Sequence, residues 1–121
     1  MFFQQHAYNF IPDDAIIVEG VITVPANVVI ASFVADEGYK IHIVALKMNF
    51  SSNMITTWQI EVAGARKMRF ILASGAFKDV YWSPTGIPVC EEEETVNYRV
   101  ITPGGGVAAY YVAYRHSEIP T

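Results

Sequence analysis

Residues Met54 to Val62 alternate with a period of two: Thr56, Trp58, Ile60 and Val62 fall on one side, and Thr57, Gln59 and Glu61 on the other. That is the pattern of a strand with one face in a core and one in water. Similar runs recur along the chain, over roughly 15–24, 27–35, 39–50, 66–74, 76–82, 95–102 and 107–115, with a further candidate at 2–10. Turn residues separate them: Pro12-Asp13-Asp14, Asn27, Glu37-Gly38, Ser51-Ser52-Asn53, Ala63-Gly64-Ala65, Ser83 to Gly86 and Pro103 to Gly106. No stretch holds a helical period. The apolar run Ile41 to Leu46 is rich in β-branched residues, which favour a strand.

Many short strands within 121 residues imply a single domain, an antiparallel β-sandwich of Greek-key or jelly-roll type with about eight strands. Trp58, Ile60, Val62 and Phe70 are the expected core. Residues 1–10 carry Phe2, Phe3, Tyr8 and Phe10 between polar residues. Two readings of them stay open: a strand completing the subunit's own sheet, or an arm laid on a neighbour by strand addition.

Hydrophobic residues make up 52% of the chain and charged residues only 17%, against roughly 25% charged in an ordinary soluble domain. A domain this small cannot hide such a surplus, so apolar side chains are expected on a contact surface, most simply with other copies of the chain. Phe2, Phe3, Tyr8, Phe10, Tyr110 and Tyr114 are the candidate contact residues. The net charge of −4 argues against nucleic acid as a partner. The basic cluster Arg66, Lys67 and Arg69 reads as a solvated strand edge. No apolar run nears the roughly 20 residues that span a bilayer, and Met1 to His6 lack signal-peptide character, so neither membrane insertion nor export is expected.

Chemistry-bearing residues do not converge. His6, His42 and His116 stand alone, and a metal or acid–base site would require the fold to bring them to Asp13, Asp14 or Asp79. Cys90 lacks the signatures of a nucleophile and reads as a small hydrophobe. Consecutive carboxylates at Glu91 to Glu94 point alternately to opposite sides and read as a solvated, self-repelling loop or a charged contact rather than a cation site. Gly104 to Gly106 precede a strand, not the helix a phosphate loop opens. No catalytic residue, cofactor or metal is expected. Some of Trp58, Tyr81, Trp82, Tyr98, Tyr110, Tyr111 and Tyr114 would serve a sugar-stacking platform if they reached the surface together.

The segment Asn27 to Ala31, then Glu37-Gly38-Tyr39-Lys40-Ile41 to Leu46, the Ser51-Ser52-Asn53 turn and the Trp58 strand resemble the small jelly-roll decoration, or cement, proteins of tailed bacteriophage capsids. The family's Gly-Lys pair stands here one residue longer, as Gly38-Tyr39-Lys40. The closing stretch Gly104 to Arg115 is similar to the last strand of such proteins. The resemblance implies a homotrimer, made in the host cytoplasm and seated near threefold positions on the outer surface of a capsid. There it would bind the major capsid protein from outside and clamp the shell against packaged DNA. The competing readings are a carbohydrate- or receptor-binding module of a phage tail or fibre, and a small jelly-roll enzyme, for which clustered metal ligands are missing.

Overall fold

The computed structural model describes residues 10–119, among which there are strands and turns but no helix. Nine strands follow one another: β1 (Ile16–Val24), β2 (Val28–Val34), β3 (Tyr39–Phe50), β4 (Thr56–Val62), β5 (Ala65–Leu72), β6 (Phe77–Tyr81), β7 (Ile87–Cys90), β8 (Thr95–Ile101) and β9 (Gly106–Glu118). One sheet has the order β1-β9-β3-β6, with β7 also on β3, and the other the order β2-β8-β4-β5. Every pairing is antiparallel. β9 lies along the full length of one side of β3, from Tyr39 to Phe50. β6 and β7 therefore share the other side, pairing with residues 45–49 and 41–43 in turn, as one strand broken at 82–86. Eight strand positions in two four-stranded layers, with the chain passing back and forth between them, make a jelly roll.

The β4–β5 hairpin turns through Ala63 (φ 51) and Gly64 (φ 84), two left-handed residues as a tight type I′ connection requires. Trp58 and Ile60 are fully buried and Val62 nearly so, facing Val96, Tyr98 and Val100 of β8 within the core. The Trp58 indole N–H donates to Thr56 Oγ1 at 2.8 Å, so its one polar atom is satisfied inside the core. Phe70, on the edge strand β5, is half-buried and meets Trp82 edge-on at 6.4 Å. β5 carries a bulge between its pairings to Ile60 and Glu61, and Arg66, Lys67 and Arg69 are exposed there. Bulge and charge together blunt that sheet edge.

The run Ile41 to Leu46 is explained by a second bulge. Register slips between Ile43 and Ala45, so Ile41 and Ile43 point inward and then Leu46, Met48 and Phe50 do. Val44 and Ala45 face outward without being exposed: with Ala113 they form a small second cluster under Ile11, Tyr81 and Tyr111. One slipped residue thus turns an alternating strand into a continuous apolar run. Residues 10–15 form a strap over that outer face. The Tyr81 hydroxyl donates to the Phe10 carbonyl at 2.8 Å, and the Arg115 guanidinium donates to both Asp14 carboxylate oxygens, from Nε to Oδ1 at 3.4 Å and from Nη2 to Oδ2 at 3.0 Å. Hydrogen bonding from Arg115 keeps the Asp14 carboxyl below its usual range.

β7 lies outside the strands expected from the sequence; its Pro88 is accommodated because β7 is a sheet edge with its own register shift at that point. The strand expected at 2–10, with Phe2, Phe3 and Tyr8, lies outside the described residues save for Phe10.

Candidate contact face

The register of the β1-β9-β3-β6 sheet arranges its outer side chains in rows. One row runs Glu19, Tyr111, Lys47, Asp79, and the next Val21, Ala109, Asn49, Phe77. In the second row the two small central residues lie between large ones, and Val21 and Phe77 are each 72% exposed. The result is a groove of about 730 Å³ across four strands, with Ala109 and Asn49 on its floor. The Lys47 ammonium lies over the Tyr111 ring, 5.1 Å from its centroid, a cation–π contact. Burial, and then the neighbouring Glu19 charge, pushes the Tyr111 phenol upward, so it stays a neutral donor. Ile17 (47% exposed) and Phe10 (59%) extend the apolar surface along the same face.

The opposite broad face is built differently. On the outside of β2-β8-β4-β5, Ser32 donates to Asn97 at 2.7 Å. The Glu61 carboxylate accepts from Gln59 and from Arg99 Nε, and Arg99 in turn donates to Asn27 at 2.8 Å. These polar groups satisfy one another across the middle of the sheet, with exposed Val34 and Ile71 on its two edge strands and exposed Ile55 just ahead of β4.

The expected contact residues divide. Phe10 is at the surface, its backbone held at the Tyr81 end of β6. Tyr110 and Tyr114 instead point inward: Tyr110 is half-buried against the core, and Tyr114 is 7% exposed and stacked on Phe33 at 4.0 Å. The reason lies across the ladder, where Gly20 pairs with Tyr110 and leaves room for its ring inside the sandwich. The aromatics lining the groove on the outward side are Tyr111, which the sequence offered only for a sugar platform, and Phe77, which it did not single out. A glycine interrupting the apolar strand 15–24 was the available signal for the parity of β9.

Nor do the candidate chemical groups come together. His42 pairs across the ladder with Arg115 and His116 with Ile41, so the two imidazoles project from opposite faces of the sheet. His116 Nε2 is 3.9 Å from Asp36, while His42 Nε2 meets Ser117 Oγ at 2.8 Å and its Nδ1 has no partner. Cys90 is buried, which pushes its thiol up and away from nucleophilic reactivity. Glu91 to Glu94 form a knit turn rather than a free loop. Glu92 accepts from the Gly38 N–H, Glu94 accepts from the Glu91 N–H, and the Glu93 N–H donates to the Ala35 carbonyl. Among the described residues no three His, Cys, Asp or Glu side chains are grouped as metal ligands.

Burial, with help from Lys40 and Arg115, lowers the His42 pKa below its ordinary 6.5. The unfolded chain therefore binds this proton more readily. The stability contributed by neutral His42 is complete above the unfolded value and is lost as pH falls through it. Thermal melts taken from about pH 7 down to about pH 5.5 are expected to show a falling Tm, with a shallower fall in His42→Gln. Equal slopes in the two proteins would refute the assignment.

No family model matches the chain, and no curated protein matches it. Among solved structures, it is similar to the carbohydrate-binding module CBM36 determined with calcium and xylotriose. That match has a TM-score of 0.44 at 11% identity and covers 84% of this chain and 99% of the module. It is also similar to the Tobacco streak virus coat protein. The structure of the coat protein dimer matches with TM-score 0.41 and 10% identity, covering 93% of this chain and 91% of the other. The C2 crystal form matches with TM-score 0.42 and 10% identity, covering 93% and 92%. At such identities and scores these are likenesses between β-sandwiches, and no function passes from them to this chain.

Proposed function

We propose that this chain is a structural virion protein, a capsid decoration or cement protein. In this reading it docks on the outer surface of the major capsid protein as a homotrimer and stabilises the shell. The observation that carries the reading is the contrast between the two broad faces of the sandwich. One satisfies its own polar groups, while the other leaves Val21 and Phe77 exposed as the walls of a groove and Ile17 and Phe10 exposed elsewhere on it. Large apolar side chains collected on one face of so small a protein mark a contact surface. The resemblance of residues 27–62 and 104–115 to phage decoration proteins supplies the capsid as the assembly on which such associating copies would sit. No reaction, cofactor or metal enters this account, and a net charge of −4 suits a protein outside the shell rather than one holding DNA.

Purified chain mixed with capsids lacking it is expected to co-sediment to saturation at a fixed number of copies per shell. Absence of saturable binding would refute the proposal.

A second reading has one observation in its favour: Tyr111 is framed by Glu19, Asn49 and Asp79, donors and acceptors suited to sugar hydroxyls. Against it, Lys47 covers the ring face on which a sugar would stack, and Trp82 packs against Phe70 and the core instead of joining a platform. Glycan-array binding lost in Tyr111→Ala would favour a carbohydrate-binding module over a capsid protein.

A further inference from the structure

We infer that copies of this chain associate through the outer face of the β1-β9-β3-β6 sheet, with the Phe10 ring of one copy directed at the Ala109–Asn49 depression of the next. This rests on the reading of that face as a contact surface and names its occupant.

Both halves of such a contact are present on the molecule. The Tyr81 hydroxyl fixes the Phe10 backbone at one end of the face and leaves the side chain 59% exposed. Four residues along β6, about 14 Å away at strand spacing, Phe77 forms one wall of the depression and Val21 the opposite wall. A protruding ring and a recess at different places on one protein make a heterologous pair, the kind of contact that forms a ring of copies where the rotation between them closes. Charge fits the same occupant. Lys47 stands between Glu19 and Asp79 in a single row, so a second copy shifted along this row meets opposite signs, whereas a uniformly charged partner would meet repulsion at one position or another.

The area is sufficient. Nine residues of β1 and four strands give a face of roughly 30 by 19 Å at standard spacings. Side-chain relief brings its roughly 600 Å² in plan near ~800 Å², the order that one copy buries in a stable interface and that a ring divides between two neighbours.

The test is solution mass by size exclusion with light scattering, on the wild type and on Val21→Lys/Phe77→Lys. Both positions are highly exposed, so the variant folds, as far-ultraviolet circular dichroism will verify. The wild type is expected at a multiple of the chain mass and the variant at one chain mass, its association weakened at least about 100-fold. A wild type at one chain mass, or a variant that keeps the wild-type mass, overturns the inference. Capsid co-sedimentation of the wild type separates this outcome from the fate of the proposed function. A single-chain protein that still binds capsids refutes the interface alone, and an oligomer that does not bind them refutes the capsid role alone.

Discussion

Replacing Trp58 with alanine is expected to destabilise the fold by roughly 3 to 5 kcal/mol, the cost of emptying a large aromatic site in a closed core. The indole is fully buried in the middle of β4, between the edge strand β5 and the central strand β8. Its ring meets Tyr98 at 5.7 Å, and its N–H is the donor to Thr56. Truncation therefore leaves a cavity that Ile60 and Val100, themselves fully buried and immobile, cannot fill. It also strips the buried Thr56 hydroxyl of its donor, which adds to the loss. Urea unfolding followed by tyrosine fluorescence and circular dichroism measures the change. A loss well under about 1 kcal/mol would mean that β4 presents its other face to the core.

The second large effect is expected at Gly86, in the break between β6 and β7 after which the chain resumes its pairing with β3 in the same direction. Gly86 has φ +79, and a Cβ built there would lie 2.9 Å from both His42 Cβ and the Ile43 carbonyl oxygen and 3.0 Å from the Ile43 carbonyl carbon. Those are backbone-anchored atoms of the central strand, held by pairing to β9 on one side and β7 on the other. Gly86→Ala thus meets a left-handed penalty of about 1 to 2 kcal/mol together with an overpacking cost of about 1 to 3 kcal/mol. Gly38 is the internal control, because it shares the conformation (φ +83) but has nothing within 4 Å of the added methyl. Gly38→Ala is expected to show only the conformational part. Equal losses of Tm in the two variants would contradict the close approach of the 82–86 turn to β3.

How far the sequence reads through to this structure depends on the type of signal. Alternation in Met54 to Val62 and the tight Ala63-Gly64 turn are local, and they agree with β4 and its hairpin. Tyr110 and Tyr114 were misplaced because adjacent apolar residues on β9 leave its parity undetermined until the partner strand is known. The glycine opposite Tyr110 belongs to β1, some ninety residues away. The same limit applies to Ile41 to Leu46: its unbroken hydrophobicity reflects a bulge and a covering strap, both tertiary features. The missing β7 shows the converse, a proline that is unfavourable in a strand but tolerated on an edge. Of the contact face, only the surplus of apolar residues and Phe10 were visible in advance. The groove itself exists because β1, β9, β3 and β6 align Val21, Ala109, Asn49 and Phe77 in one row, and that alignment brings together four distant segments.

Shell stability tests the central claim most directly. DNA-filled capsids prepared with and without this protein would be heated, and release of their DNA followed with an intercalating dye. A cement protein binding across subunits raises the release temperature in proportion to occupancy until its sites are full, because each bound copy must be displaced before the shell opens. Release at the same temperature with and without saturating protein would contradict the account.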